Sequence, residues 1–213
     1  MVVLFALRPV ARRLLSSYFE IPVGGLLANL GLSPNVITLL GLLVAGASAY
    51  LLAAGLLVAG GVVLIAQGLF DLLDGAVARA TDRVTKFGGL LDSVVDRISE
   101  ATVLIGLLVF YLGRESSTDR DVGAVLVVLV LAGSMMVSYV RARASGLRID
   151  CEVGFMTRPE RILVLSVGLI IGGLWWLPAV ATALGVIAVL TAITTVQRVL
   201  HVRRELARME TRD

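Results

Sequence analysis

Asp71–Asp96 reads DLLDGAVARATDRVTKFGGLLDSVVD. Four carboxylates, Asp71, Asp74, Asp92 and Asp96, sit here in two segments otherwise apolar enough for membrane spans. A carboxylate at bilayer depth is expensive, and the rare cases carry function. Asp71 and Asp74 are three residues apart, and Asp92 and Asp96 are four apart, so on helices each pair shares one face. If the two helices pack antiparallel, the carboxylates converge on a space able to hold two divalent cations.

The surrounding chain fits that reading. Its 213 residues are 58% hydrophobic and its mean hydropathy is +0.94, which suits a multi-span helical membrane protein and excludes an ordinary soluble domain. The single cysteine, Cys151, excludes an internal disulfide and reads as a small apolar filler. No cleavable leader is expected, because the first apolar run is short and precedes its basic residues.

Working outward, Met1–Ser33 carries Arg8, Arg12 and Arg13 among apolar residues and predicts an amphipathic helix at the membrane surface. Ser33 before Pro34 is a helix-start signal. Six spans are expected over about 35–57, 62–78, 87–112, 122–140, 161–177 and 179–197, since about 20 apolar residues cross a bilayer. The expected breaks are a turn at Ala59–Gly61, polar loops at Thr81–Lys86, Arg114–Asp121 and Arg141–Glu160, and a tight turn at Pro178. The organisation is thus an all-α integral membrane bundle over 34–204, with a juxtamembrane segment over 1–33 and a polar tail over 205–213. Of 19 Lys and Arg, all but Arg97, Arg114 and Arg120 fall on one side of six alternating spans. The positive-inside rule makes that side cytoplasmic, so the carboxylates open toward the cytoplasm of a multi-pass protein in the cell membrane. Trp175 and Trp176, at a span end on the other side, read as interfacial anchors.

An all-carboxylate set suits hard cations, Mg²⁺ or Mn²⁺; His201 is the only histidine, so zinc has no ligand cluster. Two such ions cancel the repulsion among the acids and bind a pyrophosphate. Gly75 and Ala78 leave room for a nucleotide or a neighbouring helix, Gly88 does the same at the next span, and Arg79 offers a planar fork to phosphate. A structural ion network with Arg79, Arg83, Lys86 and Arg97 explains one acidic pair, but four acids at helical spacing beside small residues less well.

DLLDGAVAR, eight residues, then GGLLDSVVD resembles the motif of the CDP-alcohol phosphotransferases, D-x-x-D-G-x-x-A-R-x8-G-x-x-x-D-x-x-x-D, with every fixed position present. The resemblance implies a six-helix membrane bundle, commonly a homodimer, with a polar cavity open to the cytoplasm. It implies that Asp71, Asp74, Asp92 and Asp96 bind two metal ions, that Asp96 is the general base, and that Gly75, Ala78, Arg79 and Gly88 line the CDP-lipid site. It further implies that the acceptor hydroxyl attacks the β-phosphorus and CMP leaves.

The second half bears on the acceptor. SYVRARASGLR (138–148), GFMTRPERILVL (154–165) and QRV (197–199) bring Arg141, Arg143, Arg158, Arg161 and Arg198 to three helix ends on one face. Converging arginines suit an acceptor with its own phosphate, although cytoplasmic loops are basic for topology alone. The same segments resemble the phosphatidylinositol phosphate synthases of actinobacteria, which join CDP-diacylglycerol to inositol phosphate. That resemblance assigns Ser138, Arg141, Arg143, Arg158, Arg161 and Arg198 to the acceptor phosphate and ring. The loop 149–153 departs from the pattern. Archaetidylinositol phosphate synthases share this acceptor logic, and phosphatidylglycerophosphate synthase is the alternative with another phosphorylated acceptor. A non-enzymatic divalent-cation carrier is a remote alternative, since the outer halves of the spans are poor in polar residues. No nucleic-acid partner is expected.

Overall fold

The computed structural model describes residues 33–80 and 85–210, except the side chains of residues 72, 74, 75, 79 and 80. The expected surface helix at Met1–Ser33 therefore lies outside the described residues, Ser33 excepted. The described chain is all-α: α1 (Pro34–Ala53), α2 (Leu57–Ala80), α3 (Lys86–Leu112), α4 (Ser117–Gly146), α5 (Arg158–Leu174) and α6 (Pro178–Glu210). Four of these, α1, α2, α4 and α6, are long and apolar enough to cross a membrane. α3 is 27 residues long but carries Asp92, Asp96, Arg97 and Glu100, and α5 is 17 residues long.

Local chemistry sets most boundaries. The hydroxyl of Ser33 accepts from the Val36 amide at 3.4 Å, with Pro34 at the first helical position. Ser116 caps α4 by accepting from the Asp119 amide. A capping box of Thr157 and Glu160 opens α5. Pro178 opens α6 where a proline lacks no needed hydrogen bond.

Three expected boundaries are corrected. The first turn is not at Ala59–Gly61, which is helical, but at Gly55, whose φ of +80° belongs to the region glycine favours. The expected Arg114–Asp121 loop is helical from Ser117 and the Arg141–Glu160 loop is helical to Gly146, because polar residues continue a capped helix as readily as they end one. Residues 205–210 of the polar tail continue α6. At 33 residues, α6 is about 50 Å long, well beyond a hydrocarbon core of about 30 Å.

The chain divides into two compact units. One comprises the described part of Met1–Ala45 with Ala66–Ser99. Ile37, Ala45, Leu73, Ala76, Val77 and Val95 are buried in it. The other comprises Gly46–Ile65 with Glu100–Asp213. Its helices approach through small residues, as helices in lipid do. A Cβ on Gly106 would lie 2.3 Å from the Ala49 carbonyl oxygen, and one on Gly133 2.4 Å from the Thr191 hydroxyl. Beyond the apolar part of α4 and α6, Ala144, Ile149 and Cys151 form a small core with Val153, Val202 and Leu206. This core closes over the segment 147–157, hereafter the strap.

Candidate active site

In the first unit, Asp71 is half-buried on α2, and its carboxylate accepts two contacts from the Gln67 amide nitrogen, at 3.0 and 3.3 Å. Gln67 itself is 1% exposed. The pair is one helical turn apart, so a buried amide fixes the orientation of the first carboxylate. α1 passes close by: a Cβ on Gly41 would meet Asp71 Oδ1 at 3.8 Å and Phe70 Cβ at 3.7 Å. Asp92 and Asp96 are both half-buried on α3, as is Ala78 on α2. Gly88 lies in the first turn of α3, where its amide donates to the Thr85 hydroxyl at 2.9 Å. A Cβ on Gly88 would lie 3.5 Å from the Asn35 Oδ1 of α1. Asp74, Gly75 and Arg79 lie on the helical backbone of α2, their side chains outside the described residues.

Among the described residues, no group of three or more His, Cys, Asp and Glu side chains is close enough to hold a metal ion; the Asp74 side chain is not among them. The donor chemistry of the first unit nevertheless fits Mg²⁺ or Mn²⁺. Its half-buried acids offer only carboxylate oxygens, with no cysteine or histidine in the described part. Asn35 and Gln67 were not among the expected site residues. An amide inside an otherwise apolar run, four residues before a carboxylate, is the signal that marks Gln67.

The second unit contains the arginines. Arg161, 4% exposed, faces Glu100 with both edges matched: Nε to Oε1 at 2.6 Å and Nη2 to Oε2 at 2.8 Å. Its Nη1 donates to the Met156 carbonyl at 3.3 Å. Arg198, 3% exposed, donates from Nε to the Val153 carbonyl at 2.9 Å and from Nη1 to the Val137 carbonyl at 2.6 Å. Both side chains thus hold the strap as well as supplying charge. The exposed Arg141 pairs with Glu152 of the strap at 3.0 Å. The charges of Arg141, Arg161 and Glu152 all act on Arg198, and that of Arg158 acts on Glu100. Arg141, Arg161 and Arg198 thus gather around the strap with Glu100 and Glu152, and Arg158 stands at the start of α5. Ser138 is half-buried on α4, one turn before Arg141. Arg143 is exposed two residues beyond Arg141, about 200° around the helix, and so projects from a different face.

The strap is fastened along its length. Met156 donates its amide to the Thr194 hydroxyl at 3.1 Å, and His201 Nε2 lies 3.0 Å from the Asp150 carbonyl oxygen. With Arg198, these anchors fall on one face of α6. Gly154, at φ +120°, presses on Thr194, where a Cβ would meet Cγ2 at 2.4 Å. Burial pushes the Cys151 thiol up from its ordinary pKa, against the opposing pull of Arg198 and Arg141.

Comparison with known proteins identifies the family. The CDP-alcohol phosphatidyltransferase family matches residues 31–201. The chain is 39% identical over 202 residues to an archaetidylinositol phosphate synthase of Methanothermobacter thermautotrophicus, covering 93% of each. It is 37% identical over 181 residues to the phosphatidylinositol phosphate synthase of Mycobacterium tuberculosis (strain H37Rv), covering 83% of this chain and 82% of that one. The crystal structure of a Mycobacterium tuberculosis phosphatidylinositol phosphate synthase with CDP-DAG bound superposes with a TM-score of 0.79 at 35% identity, over 87% of this chain and 94% of the other. A second structure of that enzyme, in complex with manganese and citrate, gives a TM-score of 0.78 at 35% identity, over 86% and 88%. With the fixed positions of its motif on α2 and α3 and the match running from before α1 into α6, the chain belongs to the CDP-alcohol phosphatidyltransferase family and is an enzyme of that class.

Proposed function

We propose that this enzyme transfers the lipid phosphate of a CDP-activated lipid to a hydroxyl of inositol phosphate, releasing CMP. The observation that carries the acceptor assignment is the gathering of Arg141, Arg161 and Arg198 from three helices at the strap. A phosphate monoester carries about −1.5 to −2 at pH 7 and gives gathered guanidinium groups an anionic partner, which free inositol does not. The relatives named for inositol phosphate products support the same acceptor. Glycerol 3-phosphate, the acceptor of a phosphatidylglycerophosphate synthase, is the alternative of equal charge. The lipid is CDP-diacylglycerol, with its archaeol counterpart as the second reading, favoured by the 39% identity to an archaetidylinositol phosphate synthase.

Asp71, Asp74, Asp92 and Asp96 would hold two Mg²⁺ or Mn²⁺ ions, which supply charge neutralisation for the pyrophosphate and the departing CMP. Gly75, Ala78, Arg79 and Gly88 give the nucleotide its place beside α2 and the start of α3. Asp96 takes the proton from the acceptor hydroxyl as that oxygen bonds to the β-phosphorus. Arg141 and Arg158, with Ser138, orient the acceptor phosphate. Arg161 and Arg198 add charge while fixing the strap, and Arg143 acts at the rim. All six described helices span the cell membrane within the domain 34–204, with the site toward the cytoplasm. Trp175 and Trp176, 80% and 55% exposed at the end of α5, anchor the opposite interface. The chain works as a homodimer.

The test is a panel with purified protein, Mn²⁺ and either CDP-lipid, scoring CMP release with inositol phosphate, inositol, glycerol 3-phosphate and serine. Turnover with inositol phosphate, lost in Asp96→Asn, is the expected result. Turnover with inositol or serine alone would overturn the acceptor assignment.

A further inference from the structure

We infer that Glu152 is a built-in anionic competitor for Arg141, a specificity-determining residue that an acceptor must displace and only a phosphorylated one displaces well. This rests on the acceptor reading above. The contact itself is an exposed ion pair, Arg141 Nη2 to Glu152 Oε1 at 3.0 Å, with the side chains 58% and 71% exposed. An isolated pair of that kind forms and breaks easily, but the placement of Glu152 is not left to its own side chain. Cys151 on one side is 2% exposed in the small core with Ala144 and Ile149. Val153 on the other side has its carbonyl held by Arg198 Nε at 2.9 Å. One residue further back, the Asp150 carbonyl lies 3.0 Å from His201 Nε2. Both neighbours are fixed, so the backbone presents the Glu152 carboxylate outward to Arg141 on α4.

The consequence follows from charge. Glu100 is half-buried against Arg161 by two short contacts, so it stays with its partner when the acceptor arrives. Glu152 is exposed and makes one contact, so it exchanges. A phosphate dianion replaces it on Arg141 with more charge and more acceptor atoms. A neutral alcohol gains nothing by the exchange, and a monoanionic carboxylate only breaks even.

The test uses the full chain in detergent or nanodiscs with CDP-lipid and Mn²⁺. It measures KM for inositol phosphate, and inhibition by inorganic phosphate, in wild type, Glu152→Gln, Arg141→Ala and the double variant. Glu152→Gln is expected to lower the acceptor KM and the phosphate Ki by about two- to five-fold, the range an exposed ion pair supports. The KM for CDP-lipid should not move. The gain should vanish in the Arg141→Ala background and shrink at high ionic strength. An unchanged acceptor KM in Glu152→Gln, or the same gain with and without Arg141, overturns this proposal while the acceptor reading stands. Wild-type turnover restricted to unphosphorylated alcohols overturns both.

Discussion

Replacing Glu100 by alanine leaves Arg161 buried without its carboxylate. The guanidinium is 4% exposed and meets both carboxylate oxygens at 2.6 and 2.8 Å. With charge centres about 4 Å apart and an effective dielectric of about 20, the Coulomb attraction is about 4 kcal/mol. That agrees with the roughly 3–5 kcal/mol lost when one partner of a buried pair is removed. The Met156 carbonyl, at 3.3 Å from Nη1, retains only one of the donors. The expected fall in Tm is roughly 6–20 °C for a chain of this size, read by thermal unfolding in detergent. The double variant Glu100→Met/Arg161→Met should recover most of that loss, since an apolar pair of similar volume is often no worse than a buried ion pair. It should still show a raised acceptor KM, because the Met156 carbonyl of the strap loses its contact with Arg161. A loss below about 1 kcal/mol for Glu100→Ala, or a double variant no more stable than the sum of the two single losses, would refute the reasoning.

Four further outcomes follow. Gly106→Ala places a methyl 2.3 Å from the Ala49 carbonyl oxygen and should cost about 1–3 kcal/mol by forcing α1 and α3 apart. Gly185→Ala, with open space around its Cβ position, should be neutral or stabilise by up to about 1 kcal/mol in the same unfolding assay. Gln67→Leu should raise the Mn²⁺ concentration for half-maximal binding by about 10-fold, measured by electron paramagnetic resonance, because Asp71 loses the amide contacts at 3.0 and 3.3 Å. Cys151, buried and with its thiol pushed up, should react with iodoacetamide far more slowly at pH 8 than in the unfolded chain. Its folded-state pKa exceeds the unfolded one, so its stabilising contribution is complete below the unfolded pKa and is lost as pH rises through the folded one.

The acidic motif was legible because charge inside an apolar run has few explanations and helical spacing is rigid. The family, the all-α class and the Ser33–Pro34 helix start followed from such local signals. The turn at Gly55 was not legible. Gly60 and Gly61 look like a turn in sequence, yet they serve contact: a Cβ on Gly60 would lie 2.5 Å from Leu52 Cδ2 and one on Gly61 3.1 Å from Leu169 Cβ. Close packing and turn formation both select glycine, and only the fold separates them. The extension of α6 to Glu210 was hidden for a related reason. RRELARME reads as a solvated tail, but Val202 and Leu206 have a partner in the core around Cys151, distant in sequence.

The arginines show the sharpest limit of reading residue types. Arg141, Arg158, Arg161 and Arg198 look equivalent in the sequence, yet the fold gives them different burdens. Arg198 turns two of its nitrogens to backbone carbonyls at 2.9 and 2.6 Å, and Arg161 faces a carboxylate and a carbonyl. A buried guanidinium so engaged is preorganised: that of Arg198 is set by the strap and α4, so an anion bound there would cost less rotamer entropy. Arg141, 58% exposed, has no such support and pairs with the exposed carboxylate of Glu152. The two kinds of arginine therefore predict opposite responses to conservative change. Arg198→Lys, which keeps charge but offers no planar fork to the Val153 and Val137 carbonyls, should loosen the strap, lower stability and raise the acceptor KM together. Arg141→Lys should leave stability unchanged and alter the acceptor KM alone.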